Sequence, residues 1–296
     1  MTPCGARGAC AVVLLLVQPL IVATAFPAPA DQRFENEVSR QKAIYESKGE
    51  DVPSGYVIDR SLLSYAFTLP AEFSRTLTEL QPRHRWLDIG AGEGRAVLDY
   101  QTSKYDAMLR SRDGKARAVA MSIEDRRTRQ WHEVAATLKP GQIEYLAGRR
   151  FREYAPDDLG KFELITDVLG GFSYTRYLSS FVEQALGLLQ PGGTLYTLLQ
   201  DVRSEEGTNR PYYPDARFLT EIVQRDGSEL GVCSWLKRIT CVEVTCEHKP
   251  ASTPPIEVYR VRKVCDGVNV PPLELVHFEA GTPPERGFRL VTPRLE

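Results

Sequence analysis

The sequence predicts an α/β fold in which a mostly parallel β-sheet is flanked by helices. From residue 85 onward, strand-like and helix-like segments alternate, which is the pattern of successive βαβ units. Of the 296 residues, 42% are hydrophobic and 26% are charged, which excludes a chain that is disordered throughout. The formal net charge of -2 does not favour a nucleic-acid partner.

The first 30 residues have the pattern of a secretory signal peptide. Arg7 precedes an apolar run at 11–26, and Ala-Pro-Ala follows at 28–30. The run is short for a membrane span, which needs about 20 residues. We expect cleavage near Ala30 and a secreted or periplasmic protein that meets the membrane only transiently. An uncleaved N-terminal anchor and a misassigned start codon are the alternatives.

The remaining chain divides into three predicted parts. Residues 31–82 are expected to form an N-terminal helical cap, because 34–47 carry charges of both signs and 60–80 have apolar residues at helical spacing. Residues 83–266 are expected to form the α/β domain. Residues 267–296 carry five prolines and are expected to form an extension that wraps around the domain.

Within the α/β domain, strands and helices are predicted from apolar runs and from the residues that interrupt them. Strands are predicted at 85–89, 116–123, 143–146, 162–167 and 194–199, and helices at 95–109, 127–138, 178–189 and 216–225. Pro140 and Gly141 end the second helix, and Asp215 is placed to cap the last one.

Two segments rich in β-branched residues, 239–246 and 256–264, predict an antiparallel hairpin centred near Ala251. Four cysteines follow the signal peptide, and an even number suits disulfides in an oxidising compartment. With this centre Cys265 lies near Cys233, so we expect these two to be bonded. Cys241 and Cys246 would then be unbonded, or joined only through a bulge. A zinc site and free buried thiols are the alternatives.

The strongest functional pattern is the glycine-rich turn after the first strand. The segment 86–94 (WLDIGAGEG) is a strand that ends near an acid, followed by glycines at alternate positions. Glycines allow a ligand to approach the backbone, and the following helix offers N–H groups to an anion. A dinucleotide fingerprint needs glycine at position 95, where this chain has Arg95.

This turn resembles motif I of the class I S-adenosylmethionine-dependent methyltransferases, which have a Rossmann-like fold. Further segments match that family in order: Glu124 after the second strand, 162–167 as the fourth strand, 188–195 as the L-x-P-G-G segment, and the C-terminal hairpin. The resemblance covers residues 85 to about 264 and implies S-adenosyl-L-methionine as cofactor. The cofactor-binding residues that it implies are Asp88, Gly90, Ala91, Gly92, Gly94, Glu124 and Asp167.

The resemblance also implies methyl transfer to a small-molecule or protein acceptor that the sequence does not identify. Asp167 and Tyr174 are the catalytic candidates, because a carboxylate near the methyl group can orient the acceptor or accept its proton. No N/D-P-P-Y sequence follows the fourth strand, which argues against methylation of DNA bases. The four histidines have no ligand spacing, so no metal site is predicted.

Two groups of arginines, at 126–129 and 149–152, are interleaved with acids and are expected to form solvated surface. Arg149 also stands where the family often has an acid that contacts adenine.

Two rival functions remain. An exported protein that retains the fold but not catalysis would explain a signal peptide on a chain whose cofactor is cytosolic. An NAD(P)-dependent oxidoreductase is disfavoured by Arg95.

Overall fold

The computed structural model describes residues 60–106, 114–200, 219–249, 256–279 and 284–291. The predicted signal peptide and most of the predicted helical cap lie outside the described residues. Within these ranges, no helix combines the length and the apolar character that a membrane span requires.

Two short helices precede the sheet, as the spacing at 60–80 predicts. Helix α1 is Leu62–Thr68 and helix α2 is Ala71–Glu79. Ser61 caps α1, since its side chain accepts a hydrogen bond from the Ser64 N–H at 3.2 Å. Both helices bury apolar side chains, and these join a cluster on one face of the central sheet.

Ten strands form two sheets among the described residues. They are β1 (Arg85–Ile89), β2 (Arg117–Met121), β3 (Ile143–Leu146), β4 (Phe162–Asp167), β5 (Leu189–Gln200), β6 (Thr220–Val223), β7 (Val242–Lys249), β8 (Ile256–Lys263), β9 (Leu273–Glu279) and β10 (Glu285–Leu290). Seven of them form a sheet in the order β3-β2-β1-β4-β5-β8-β7. Only β8 runs against the other six strands of this sheet. The predicted mostly parallel sheet is therefore confirmed.

Helices cover both faces of this sheet. The remaining helices are α3 (Arg95–Gln101), α4 (Arg129–Ala135), α5 (Pro156–Leu159), α6 (Gly171–Tyr174), α7 (Leu178–Leu188) and α8 (Val232–Leu236). Alternate residues of β1 enter opposite clusters: Leu87 packs on the side of α7, and Trp86 packs on the side of α1 and α2. A strand that is apolar on both sides is what a sheet covered on both faces requires.

The second sheet has three strands in the order β6-β10-β9. It corrects the helix predicted at 216–225, because Thr220–Val223 is a strand parallel to β10. Its alternating burial, with Thr220 and Ile222 inside, is the two-residue period of a strand. The C-terminal segment supplies β9 and β10, so its described residues form a sheet with β6.

The predicted hairpin is confirmed, but its register differs from the expected one. The structure joins the four cysteines in two disulfides, Cys233 with Cys246 and Cys241 with Cys265. Val261 lies opposite Val244, whereas the expected centre placed it opposite Cys241. This shift of three residues brings the Cα atoms of Cys241 and Cys265 to 5.0 Å. The expected bond between Cys233 and Cys265 is therefore wrong.

Candidate functional site

A cavity of about 350 Å³ lies at the carboxyl ends of β1, β2 and β4. It is lined by Gly90 and Gly92 after β1, residues 121–123 at the end of β2, residues 149–152 after β3, residues 169–171 after β4, and side chains of α6 and α7. In open α/β sheets, ligands bind at this edge, where the strand order reverses next to the first strand. The cavity is therefore the candidate site.

The glycine-rich turn forms one wall of the cavity. Gly90, Gly92 and Gly94 have φ angles of 71°, 59° and 75°, in the left-handed region that favours glycine. A Cβ on Gly90 would lie 2.6 Å from the Gly170 Cα, and one on Gly94 would lie 2.5 Å from the Trp131 ring. Packing of the protein itself therefore requires Gly90 and Gly94, whereas the sequence predicted that all three glycines serve the approach of a ligand.

Hydrogen bonds hold this turn against the neighbouring strands. The Ala91 N–H donates to the Met121 carbonyl at 2.9 Å, and the Gly94 N–H donates to the Ala91 carbonyl at 2.8 Å. The Tyr145 hydroxyl donates to the Gly92 carbonyl. The turn is thus fixed before any ligand binds. The parts predicted for Gly90, Ala91, Gly92 and Gly94 in cofactor binding stay predictions.

Asp88 is fully buried and bonded to other side chains of the protein. Both carboxylate oxygens accept from the Tyr65 hydroxyl at 3.1 Å, and one accepts from the Thr166 hydroxyl at 2.6 Å. Burial raises the pKa of Asp88 to about 7. These contacts attach α1 to the sheet, and Asp88 does not line the cavity. Its predicted part in cofactor binding stays a prediction.

The two catalytic candidates occupy different positions. Asp167 is fully buried, and its carboxylate accepts from the backbone N–H groups of Gly170 and Phe172 at 3.2 Å. Burial raises the pKa of Asp167 to about 7. Its hydrogen bonds hold the start of α6, and Tyr174 at the end of that helix lines the cavity. The structure therefore brings Tyr174 to the cavity and places Asp167 behind its wall.

Glu124 lies three residues beyond the end of β2, directly after the cavity residues 122 and 123. Its backbone carbonyl accepts from the Tyr145 hydroxyl at 3.3 Å. The neighbouring Asp125 is exposed and pairs with Arg127 at 2.6 Å. That contact lowers the pKa of Asp125 to about 2. Of the two acids, Glu124 stays the candidate for contact with the ribose.

One group of arginines lies where the sequence did not predict it. Arg149, Arg150 and Arg152 line the cavity, although they were expected on solvated surface. Their position directly after β3 could have indicated this, because the loop that follows a parallel strand lies at the carboxyl edge of the sheet, where the cavity is. In the other group only part of the expectation is met: the side chain of Arg129 is 92% exposed and pairs with Glu133. The terminal nitrogens of the Arg126 guanidinium are buried.

No protein-family model and no curated protein matches the sequence. Among solved structures, the chain is similar to the antibiotic-resistance methyltransferase Kmr, with 16% identity, a TM-score of 0.39, and coverage of 66% of this chain and 93% of that one. A putative S-adenosylmethionine-dependent methyltransferase from Listeria monocytogenes has 14% identity and a TM-score of 0.40, over 65% and 95% of the two chains. An O-methyltransferase family protein from Burkholderia thailandensis has 11% identity and a TM-score of 0.42, over 80% and 63%.

The sheet order carries the conclusion about the fold. Two groups of strands extend in opposite directions from the boundary between β1 and β4, and the cavity lies at the carboxyl edge beside that boundary. A single reversed strand, β8, stands next to the last position of the sheet. This is the arrangement that the sequence resemblance implied. The chain therefore has a Rossmann-like fold, with the strand order and the reversed strand that the resemblance to class I methyltransferases predicted.

Proposed function

We propose that the protein transfers a methyl group from S-adenosyl-L-methionine to a small-molecule or protein acceptor. The observation that carries the proposal is the cavity at the carboxyl ends of β1, β2 and β4, with the glycine-rich turn as one wall. Its volume of about 350 Å³ is within the range of small-molecule sites.

The residues around the cavity fit this cofactor. Gly92 presents backbone without a side chain, and Met121 and Ile123 offer an apolar surface for a planar base. Ser122 and Tyr174 contribute hydroxyl groups. Glu124, adjacent to this wall, is the acid assigned to the ribose hydroxyls, because a carboxylate can accept from both of them.

When bound, the cofactor supplies a methyl group on a positively charged sulfur, which keeps the electron pair of the broken carbon–sulfur bond. The acceptor atom provides the electron pair of the new bond, and any proton it carries leaves to a base or to water. Tyr174 lines the cavity, and we assign its hydroxyl to orienting the acceptor. Asp167 is assigned to positioning Tyr174 through the backbone of α6. Such positioning lowers the entropic part of the barrier.

Calorimetric titration with S-adenosylhomocysteine tests the proposal. The wild-type chain should bind it, and Gly92→Val should abolish binding because the side chain fills space at the cavity wall. Gly141→Val is the matched control: its φ of 74° imposes a similar backbone strain, and an added Cβ meets nothing within 4 Å. Equal binding by the two variants would overturn the assignment of the turn.

A second candidate is an exported binding protein that keeps the fold without catalysis. The two disulfides favour it, because such bonds persist in secreted and periplasmic proteins, away from the cytosolic cofactor. This candidate requires that the purified protein bind ligand at the cavity but transfer no methyl group from labelled S-adenosylmethionine to any acceptor that binds there.

A further inference from the structure

We propose that the methyl acceptor is an apolar molecule with one carboxylate or phosphate group, which the guanidinium groups of Arg149, Arg150 and Arg152 bind. The inference rests on the proposed function and names the substrate class of the same site.

The first observation is the charge of the cavity wall. Among the described residues that line the cavity there are three arginines and neither an aspartate nor a glutamate. Positive charge gathered along a concave surface attracts anions, and guanidinium groups match the oxygen pairs of carboxylates and phosphates. An anionic ligand is therefore favoured at this wall.

The second observation is that the arginine segment is held in place. The side-chain amide of Gln184, on α7, donates to the carbonyls of Phe151 and Tyr154 at 2.9 Å each. The Glu153 carboxylate accepts from the Arg150 N–H at 2.9 Å. Phe151 is buried and packs on Phe181, with ring centroids 5.1 Å apart. A segment fixed before binding loses less entropy when it binds an anion.

The third observation concerns the arginine side chains. Arg149 lies over the Tyr154 ring at 5.4 Å, and Arg152 lies over the Tyr177 ring at 5.1 Å. A guanidinium can stack its planar face on an aromatic ring and bind a carboxylate or phosphate through its N–H edge. Arg150 faces Glu153 at 3.4 Å, with 28% and 42% of the two side chains exposed. Such a solvated pair contributes little, so an anion can compete with it.

The cofactor itself does not account for three arginines. S-adenosylmethionine carries a sulfonium, an ammonium and one carboxylate, so its net charge is positive and three nearby cations oppose its binding. An anionic acceptor between them offsets this repulsion. Phe151, Phe181 and Tyr177 also line the cavity. The Phe151 and Phe181 rings are in contact and Arg152 lies over Tyr177, so these rings provide an apolar surface beside the arginines.

The test is calorimetry on the full chain with saturating S-adenosylhomocysteine. The probes are naphthalene-2-carboxylate, 2-naphthyl phosphate and the neutral naphthalene-2-carboxamide. At least one anion should bind at least about tenfold more tightly than the amide. The triple variant Arg149→Gln, Arg150→Gln, Arg152→Gln should remove that preference and leave amide binding unchanged. Whichever anion binds more tightly identifies the carboxylate or the phosphate as the natural group.

A control with the same loss of charge replaces three exposed arginines outside the cavity, Arg83, Arg129 and Arg289, by glutamine. It should keep the preference for the anion. A wild type without preference, or a control that loses it equally, overturns the inference. So does loss of S-adenosylhomocysteine binding in the cavity variant, because the arginines would then serve the cofactor. A wild type that binds the anions but not S-adenosylhomocysteine would instead refute the proposed function.

Discussion

Replacing the buried Arg286 by methionine should destabilise the protein much more than the same change at Arg289 on the same strand. Arg286 is 1% exposed and donates to the Thr175 carbonyl at 2.5 Å, to the Phe172 carbonyl at 2.7 Å and to the Thr220 hydroxyl at 3.1 Å. It therefore joins β10 to β6 and to the end of α6, which carries Tyr174. Burial lowers the pKa of Arg286 to about 9.

The magnitude follows from these contacts. A hydrogen bond from a charged donor contributes about 1.5–3 kcal/mol, so three contribute at most about 9 kcal/mol. Methionine also removes a buried charge, whose desolvation costs several kcal/mol, and this offsets part of the loss. We expect a net decrease of about 3 kcal/mol in the free energy of unfolding. Arg289 is 54% exposed and pairs with Glu274 at 3.6 Å, so its replacement should cost less than about 1 kcal/mol.

The assay is urea unfolding of the full chain, followed by the fluorescence of its three buried tryptophans, Trp86, Trp131 and Trp235. Both variants should unfold with the slope of the wild type, and only Arg286→Met should shift the midpoint strongly. Arg286→Met should also weaken S-adenosylhomocysteine binding, because the carbonyls at the end of α6 lose their donor. A difference of less than about 1 kcal/mol between the two variants would refute the reasoning.

Three further outcomes are expected. Glu124→Ala should weaken S-adenosylhomocysteine binding by about 1.5–3 kcal/mol, whereas Asp125→Ala should not; the reverse result would show that the wrong acid is assigned. Asp88 has its pKa raised to about 7, so its stabilising effect is full below about pH 4 and is lost as the pH rises through 7. Asp88→Asn should therefore gain stability relative to the wild type between pH 4 and 8 in urea titrations, and a constant difference would contradict the assigned pKa. Peptide mapping without reductant should recover both disulfides with the pairing of the structure, and free thiols or the Cys233–Cys265 pair would contradict it.

Local sequence patterns were sufficient to predict most strands and helices of the central domain. Strands β1, β3 and β4 begin and end at the predicted residues, because short apolar runs bounded by glycine or polar residues leave little choice of limits. Helix α7 differs from its prediction by one residue, since its apolar stripe has a clear helical period. The helix predicted at 216–225 was wrong for the segment 220–223. Asp215 is a residue typical of a helix start, and the β-branched residues of the segment are too few to indicate a strand clearly.

The candidate site was predictable in part. The glycine-rich turn was located correctly, because its spacing and its place after a strand are local features. The packing of Gly90 against Gly170 and of Gly94 against Trp131 was not, since each contact joins distant parts of the chain. The same holds for Asp167, whose burial depends on how α6 folds back over the end of β4.

The sequence by itself determined the α/β class, the position of the glycine-rich turn and the existence of the C-terminal hairpin, since each depends on residues close together in the chain. Only the tertiary structure decided the pairing of the cysteines, because a shift of three residues in hairpin register changes every partner. It alone placed the arginines at 149–152 at the cavity, buried the guanidinium nitrogens of Arg126 and left Arg129 on the surface. Spacing along the chain does not show which loops meet at one edge of a sheet. The order of the strands and the packing of the connecting helices on the sheet decide which loops meet.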